Sequence, residues 1–405
     1  MNEFIRNQFP SLARKIHDKS IIFLDGPAGT QVPESVIQAI SDYYRNSNSN
    51  LHGPFLFSEE SDQVMDDARQ AMADLLGAPG PENISFGQNM TSLNFALSRG
   101  IGRYLQPGDE ILITQLDHEA NRGPWLSLRE MGIEVREIAL KPDGTLDYED
   151  FEFKINERTR LVAVGCSSNI LGTVNDIALI RKVSHQYGAW LLVDAVHYAP
   201  HFPIDVREMD CDFLLCSAYK FYGPHVGILY AKTGLLDRLP TDRLRTAAQY
   251  APYSIETGTL NHAAIAGVTA AVDFLAGLGK GKTRRQKLLD IMQVTQYHEF
   301  TLAKKLAEGI KQIPGYQIIG PGFESTQRAP TLGLTLKDWH ADEVGKALAQ
   351  HNVFSWTGHF YALRATEVLG LLPRGGVTRL GISLYTQVEE IDQTLEILDQ
   401  IRKKA

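Results

Sequence analysis

Lys220 is the residue whose type and position first suggest chemistry. It follows residues 213–216, an apolar segment typical of a buried strand, and turn-forming residues 222–224 come shortly after it. Burial disfavours an ammonium group and lowers the pKa of a lysine, which suits an amine that must attack an aldehyde cofactor. The alternative is a lysine that emerges into solvent where the strand ends. The segment alone does not separate these two interpretations.

Polar residues follow other predicted strands in the same way. Strands are predicted at residues 84–86, 110–114, 161–165 and 190–193, each followed by a polar loop and a helix. Alternating strands and helices indicate an α/β fold with a mostly parallel sheet covered on both faces. Ligands bind at the carboxyl ends of such strands. Each polar residue there has a structural explanation on its own, but together they predict one shared site, made of Asn89, His118, Asn169, Asp194, His197, Ser217 and Lys220.

This set of side chains matches the needs of pyridoxal 5'-phosphate. Lys220 supplies the amine that forms a Schiff base, Asp194 a carboxylate for the pyridine nitrogen, and His118 a ring that stacks on the pyridine. Asn169 and His197 are the candidate donors to the phenolic oxygen. The candidate phosphate contacts are Asn89 and Met90 at a helix N-terminus, Ser217 and Tyr219.

Motifs spread along the chain carry a family resemblance. They are "LDGPAG", "LDHEANRGPW", "SSNILGT", "VDAVHYAPHFPIDV", "SAYKFYGP", "ETGTLN" and "TRLGISLY". The sequence resembles the class V, fold-type I pyridoxal-phosphate family, and within it the cysteine desulfurase-like branch. The resemblance implies the cofactor roles given above and a homodimer whose sites lie at the interface. It also implies that Thr259 reaches the phosphate from the partner subunit, and that Arg379 binds the substrate α-carboxylate.

One segment departs from the family pattern. In desulfurases of this type, a mobile loop carries a cysteine that takes up sulfur as a persulfide. The corresponding loop is expected at residues 353–371, with Tyr361 in place of the cysteine and Trp356 in place of an arginine. A thiolate must reach the substrate sulfur, and tyrosine cannot replace it. A persulfide relay is therefore not expected, because the cysteines lie elsewhere, at Cys166, Cys211 and Cys216.

The expected activity is a pyridoxal-phosphate-dependent reaction on a small L-amino acid, with carbon–sulfur β-elimination from a cysteine-type substrate as the leading hypothesis. A desulfurase that uses an external acceptor, a transaminase and an epimerase remain alternatives, because they share the same carbanion chemistry. A non-enzymatic binding module is disfavoured by the intact Lys220, Asp194 and Arg379. The residues expected to set selectivity are Ala28, His52, His359 and Tyr361.

Composition narrows the class of protein. The 405 residues predict an N-terminal arm (1–20), a large cofactor-binding domain (21–285) and a smaller C-terminal α+β domain (286–405). A net charge of -8 provides no basic surface for nucleic acid, and no segment is apolar for long enough to span a membrane. The cysteines have neither disulfide nor metal-ligand spacing, and no signal peptide is recognised. A cytoplasmic enzyme without a metal is expected.

The remaining elements are predicted from local pattern. The arm is expected to be helical, and residues 45–60 are polar and glycine-punctuated, which predicts a long loop. Residues 282–291 are predicted as a basic helix that leads, through residues 297–310, into the smaller domain.

Overall fold

The computed structural model describes residues 3–324 and 327–403. Its strands in chain order are β1 (Lys15–Ile16), β2 (Lys19–Ser20), β3 (Ile22–Phe23), β4 (Ile84–Gly87), β5 (Glu110–Thr114), β6 (Glu134–Ile138), β7 (Thr159–Gly165), β8 (Trp190–Asp194), β9 (Phe213–Ser217), β10 (Gly227–Ala231), β11 (Tyr316–Ile319), β12 (Thr331–Leu336), β13 (Val353–Phe354), β14 (Trp356–Gly358) and β15 (Val377–Gly381).

The α-helices are α1 (Glu3–Arg6), α2 (Glu34–Asn46), α3 (Leu56–Leu76), α4 (Met90–Tyr104), α5 (Gly123–Leu126), α6 (Tyr148–Lys154), α7 (Ile177–Gln186), α8 (Val206–Met209), α9 (Leu235–Arg238), α10 (His262–Leu278), α11 (Arg284–Lys311), α12 (Ala341–Ala349), α13 (Leu363–Val368) and α14 (Val388–Arg402). A single turn of 3₁₀ helix, Ala218–Lys220, follows β9 and carries the lysine.

A seven-stranded sheet forms the centre of the larger part of the fold. Its order is β4-β10-β9-β8-β7-β5-β6, and only β10 runs antiparallel to its neighbours. Successive residues point to opposite faces, so that Leu191 and Val193 enter one apolar core and Leu192 the other. Helices α3 and α10 cover the first face and α4 the second. The mostly parallel α/β sheet expected from the sequence is therefore confirmed.

A four-stranded antiparallel sheet of order β11-β12-β15-β14 lies in the C-terminal part. Its core contains Leu334 and Leu380 from the strands and Leu306 and Leu398 from α11 and α14. The short strand β3 pairs in parallel with β13, although it comes from the start of the chain. The first residues of the predicted large domain thus pack on the predicted small one. The domain boundaries themselves stay predictions.

Four local expectations differ from the structure. The described part of the N-terminal arm, residues 3–20, contains one turn of α-helix, a 3₁₀ turn and the β1–β2 hairpin and no longer helix. The loop before α3 is shorter than expected, because the helix begins at Leu56. Helix α11 is continuous over 28 residues, since Thr283 and Gln286 form a capping box and no proline interrupts the helix. Residues 353–371 are not one loop: they contain β13, β14 and α13.

Among residues 3–324 and 327–403, no helix combines the length and apolar character needed to cross a membrane.

Candidate active site

A cavity of about 810 Å³ lies at the carboxyl ends of the parallel strands, where β14 and the following loop meet the large sheet. Most of the residues predicted for the site line it. They are Ala28, Asn89, Met90, His118, Asn169, Asp194, His197, Ser217, Tyr219, Lys220, His359, Tyr361 and Arg379. The convergence arises because each parallel strand ends at the same edge of the sheet.

Lys220 is buried at the base of the cavity. The strand β9 ends at Ser217, and the 3₁₀ turn after it directs the amine toward the loop that follows β3. There the Nζ atom donates to the carbonyl oxygens of Pro27 and Ala28, the latter at 2.9 Å. Burial lowers the pKa of Lys220 to about 7, and the Arg379 charge adds to this shift. A substantial fraction of the amine is therefore unprotonated near neutral pH, as a nucleophile or base requires.

Two buried carboxylates line the cavity. Asp194 ends β8 and accepts a hydrogen bond from the amide of Val196 at 2.9 Å. Asp117 follows β5 and accepts from the amide of Gly165 and from Asn121 Nδ2, the latter at 2.8 Å. Burial raises the pKa of Asp194 to about 7 and that of Asp117 to about 6. Both carboxylate oxygens of Asp117 accept hydrogen bonds from the protein, whereas the Asp194 side chain has, among the described residues, only the Val196 amide as a partner and lines the cavity.

His118 forms one wall of the cavity. Its Nδ1 accepts a hydrogen bond from the amide of Ala120 at 3.0 Å, which fixes the ring orientation. The ring centroid lies 5.4 Å from that of Tyr361, with the planes 35° apart. Burial lowers the pKa of His118 to about 4, so that the ring is neutral at pH 7. A neutral, fixed ring beside the lysine is suited to stacking on a planar heteroaromatic group.

The N-terminus of α4 forms another side of the cavity. Asn89 caps the helix by accepting from the amide of Ser92 at 2.9 Å, and the amide of Met90 donates to Ser217 Oγ at 3.0 Å. Thr91, on the first turn, also lines the cavity. A helix N-terminus with a hydroxyl group beside its first turn favours the binding of an anion. The side chain of Asn89 is engaged in the cap, so that its contribution is structural.

The loop after β14 is tied to the large sheet by polar contacts. Asn169 Nδ2 donates to the carbonyl oxygen of Phe360 at 2.9 Å. The amide of Glu119 donates to the carbonyl oxygen of Tyr361 at 2.7 Å. Phe360 and Tyr361 both have left-handed backbone angles, φ 51° and 58°. Such angles are costly for bulky residues and persist only where surrounding contacts hold them. These contacts hold the loop against the large sheet, where it forms one wall of the cavity.

Two predicted residues do not line the cavity of the single chain. His52 lies on an exposed loop with its Nδ1 2.9 Å from Asp62 Oδ1. Thr259 is also exposed, in the loop before α10. The contact of Thr259 was expected from a partner subunit, and it stays a prediction.

The cavity also contains residues to which the sequence pattern did not point. Asp117 and Ser167 line it beside Asp194, and Phe360 lies next to Arg379. Asp117 and Ser167 both follow predicted strands, so their positions in the sequence could have placed them in the site. No sequence pattern predicts the position of Phe360, because it depends on contacts with a distant part of the chain. Within the described residues, no group of three or more histidine, cysteine, aspartate or glutamate side chains is arranged to hold a metal ion.

The donors and acceptors of the cavity fit pyridoxal 5'-phosphate. Ser167 Oγ and His197 Nδ1 are buried and lack a hydrogen-bond partner among the described residues. Unpartnered buried polar atoms beside a cavity point to a bound polar group. Lys220 presents an amine of lowered pKa, Asp194 a carboxylate, and α4 a helix N-terminus. The amine suits the aldehyde of the cofactor, the carboxylate suits its ring nitrogen, and the helix N-terminus suits its phosphate.

The lowered pKa of His118 predicts how stability depends on pH. The folded chain keeps this ring neutral down to about pH 4, while the unfolded chain binds the proton near pH 6.5. The stabilising contribution is complete above pH 6.5 and is lost as pH falls toward 4, because the unfolded chain then binds more protons. Replacing His118 by glutamine should reduce the loss of unfolding free energy between pH 7 and pH 5 by about 2 kcal/mol.

Urea denaturation at the two pH values measures this difference. His351→Gln, outside the cavity lining, is the matched control for the loss of a histidine side chain. An unchanged pH dependence in His118→Gln would contradict the assignment of a buried neutral ring.

Comparisons with known proteins agree with the fold and the cavity. Residues 22–394 match the family model Aminotransferase class-V. Proteins named cysteine desulfurase from Pectobacterium atrosepticum and Klebsiella pneumoniae are each 32% identical to this chain, covering 99% of it and 98% of each relative. A cysteine desulfurase structure from Thermococcus onnurineus superposes with a TM-score of 0.88 at 25% identity, over 100% of this chain and 99% of that one.

A cysteine desulfurase from Escherichia coli, solved with an S-sulfonic acid, gives a TM-score of 0.85 at 26% identity, again over 100% and 99% of the two chains. The family match extends over most of the sequence, and the relatives are similar over nearly their whole length. This chain therefore belongs to the class V aminotransferase family, in its cysteine desulfurase-like branch, whose members are pyridoxal-phosphate-dependent enzymes.

Proposed function

We propose that this enzyme cleaves the carbon–sulfur bond of a cysteine-type L-amino acid by β-elimination. The observation that carries this proposal is the position of the thiols. Cys166, Cys211 and Cys216 are all buried, and none of them lines the cavity. Burial raises the pKa of each thiol, which keeps it protonated and unreactive. Tyr361 instead occupies the loop at the cavity wall, where it cannot accept sulfur.

The proposed cofactor contacts follow from the geometry of the cavity. Lys220 would bond to the aldehyde, Asp194 would pair with the ring nitrogen, and His118 would stack on the ring. Asn169 and His197 are proposed for the phenolic oxygen. The proposed phosphate contacts are the α4 N-terminus at Asn89 and Met90, Ser217, Tyr219 and Thr259 of a partner subunit. When bound, pyridoxal phosphate withdraws electrons from the substrate α-carbon and acidifies its C–H bond.

The chain's own groups would then orient the substrate and move its protons. Arg379 would bind the α-carboxylate, since its guanidinium lines the cavity. Lys220 Nζ, with its lowered pKa, would accept the α-proton and hold it. Ala28, His359 and Tyr361 line the cavity and would contact the side chain of the substrate. His52, on an exposed loop outside this lining, remains a proposed selectivity residue. The leaving group departs as sulfide from L-cysteine or as the persulfide of cysteine from L-cystine, because no protein thiolate is there to capture the sulfur.

Product analysis tests the proposed reaction. Pyridoxal-phosphate-loaded protein is incubated with L-cysteine or L-cystine, with Lys220→Ala as the control. Lysine-dependent formation of pyruvate and ammonia is the expected result. The relatives named cysteine desulfurase support a second candidate, desulfuration with an external sulfur acceptor. Alanine together with released sulfur would establish that second reaction and contradict β-elimination. Turnover of neither substrate would contradict both and direct the search to transamination or epimerisation of other amino acids.

A homodimer is part of this proposal. At the start of α3, three consecutive apolar residues, Phe55, Leu56 and Phe57, are 49–63% exposed. A contiguous apolar patch of this kind is typical of a protein interface. Thr259 is exposed in the single chain, as the proposed contact across such an interface requires.

A cytoplasmic location is proposed because three free thiols suit a reducing compartment.

A further inference from the structure

Asp25 is an acidic residue between the two basic groups of the site, and the roles proposed above do not include it. It follows β3, and its Oδ1 atom lies 3.3 Å from Arg379 Nη2. Its backbone forms a bridge with Gly381, two residues after Arg379 on β15. The side chain of Asp25 is 19% exposed. Burial raises the pKa of this carboxyl group, and the charge of Arg379 opposes that shift.

Arg379 depends on few partners for its position. Its Nη1 donates to the carbonyl oxygen of Asn169 at 3.0 Å, and its guanidinium carbon lies 4.0 Å from the centre of the Phe360 ring. The side chain is only 2% exposed, and Asp25 is its one ion-pair partner in the described part of the chain. Leaving a buried charge without its partner is strongly unfavourable. Asp25 therefore holds the one anionic contact that keeps this guanidinium in place.

The same turn of backbone also holds Lys220. The carbonyl oxygens of Pro27 and Ala28 accept hydrogen bonds from Nζ, the latter at 2.9 Å. The amides of Ala28 and Gly29 in turn donate to the carbonyl oxygen of Asp25 at 3.1 and 3.3 Å. Asp25 thus holds the turn through its backbone carbonyl oxygen, and it holds Arg379 through its side-chain carboxylate.

Close packing leaves this turn little freedom. A Cβ atom added at Gly26 would lie 2.1 Å from Ser383 Oγ, and one added at Gly381 would lie 2.1 Å from Pro27 Cδ. The turn therefore lies directly against the end of β15, the strand that carries Arg379. A shift of the turn would move the carbonyl groups that hold Lys220 relative to the guanidinium.

We propose that Asp25 is a positioning residue that sets the placement of Arg379 relative to Lys220, and thereby the recognition of α-amino carboxylates. The inference rests on the proposed function, in which Arg379 binds the substrate carboxylate and Lys220 accepts the proton from the α-carbon. In an α-amino acid, the carboxylate and the amine are attached to one carbon, so that their binding groups must be correctly spaced. Small errors in such placement have large effects on binding and reaction.

The test compares two ligands on the pyridoxal-phosphate-loaded protein. L-Alanine has the amine and the carboxylate but no leaving group, whereas ethylamine has the amine alone. Isothermal titration calorimetry gives the dissociation constants. Asp25→Ala should weaken L-alanine binding roughly tenfold, the usual effect of losing a charge-assisted hydrogen bond, and leave ethylamine binding within about twofold. Asp25→Asn retains an oxygen acceptor of the same shape and should lose less affinity for L-alanine than Asp25→Ala.

Asp242→Asn is the matched control. It also removes an aspartate–arginine ion pair, here with Arg99 and Arg103, but outside the cavity lining. It should leave the affinities for both ligands unchanged. If Asp25→Ala does not fold, which its melting temperature will reveal, the isosteric Asp25→Asn carries the same comparison of the two ligands.

Unchanged L-alanine affinity in the Asp25 variants would overturn the inference. Equal losses for L-alanine and ethylamine would also overturn it, because they would indicate a general structural role. Pyridoxal phosphate bonded to Lys220 would absorb visible light. This absorption separates failure of the inference from failure of the proposed function. Wild-type protein that has this absorption but no preference for L-alanine contradicts carboxylate binding by Arg379, and the positioning role with it. A wild-type preference for L-alanine that the Asp25 variants retain in full overturns the role of Asp25 alone. Wild-type protein without the absorption contradicts the proposed function, and the positioning role with it.

Discussion

Replacing Lys220 by alanine is expected to lower kcat by about a thousandfold or more, because it removes both the nucleophilic amine and the base. In the structure this amine is buried, its pKa is lowered to about 7, and it points into the cavity beside Asp194. The variant should also lose the visible absorption that a lysine-bound pyridoxal phosphate produces. Spectroscopy of the reconstituted protein and pyruvate release together measure the two effects.

Lys232→Ala is the matched control for this experiment. Lys232 is an exposed lysine that pairs with Asp210 at 2.8 Å and does not line the cavity. Its removal should leave both absorption and turnover at the wild-type level. Retained absorption in Lys220→Ala would mean that another amine holds the cofactor, and the assignment of the site would then be wrong.

Replacing Asp194 by asparagine is expected to lower kcat by about a hundredfold to a thousandfold, the usual cost of removing one well-placed electrostatic group. The proposed task of Asp194 is to hold a proton at the ring nitrogen of the cofactor. An amide of the same shape retains the hydrogen bond from Val196 but carries no negative charge. The stability of the variant should be close to that of the wild type, because burial already raises the pKa of this carboxyl group to about 7.

Steady-state kinetics and urea denaturation of the same preparations separate the two quantities. Asp176→Asn is the control: Asp176 is an exposed residue that caps α7, and asparagine caps a helix equally well. Wild-type kcat in Asp194→Asn would show that the carboxylate does not serve the ring nitrogen. A large loss of stability would point instead to a structural role.

Local pattern was sufficient to predict much of the large sheet. The segments that became β5, β7, β8 and β9 are short apolar runs bounded by polar or turn residues, and all of their inward residues are buried. Because parallel strands end at one edge, the residues that follow them could be assigned to one site without any knowledge of contacts. Lys220 and Asp194 were found in this way.

Local pattern failed where an element depends on distant partners. Strand β3 has only two residues and is held by β13, which lies more than 300 positions later in the chain. The position of the Phe360 loop depends in the same way on Asn169, 191 positions earlier. No window of sequence contains both partners of such contacts. The loop expected at residues 353–371 was taken from the family resemblance and not from local pattern.

The sequence determined which chemical groups this protein has at the ends of its parallel strands, since those positions follow from the periodicity of burial. Only the tertiary structure decided that Asp25 would stand beside Arg379, 354 positions away, and that its turn would hold Lys220. The physical reason is that these contacts join the beginning, middle and end of the chain. Their geometry is created when the two sheets pack together, and it is absent from any local stretch of residues.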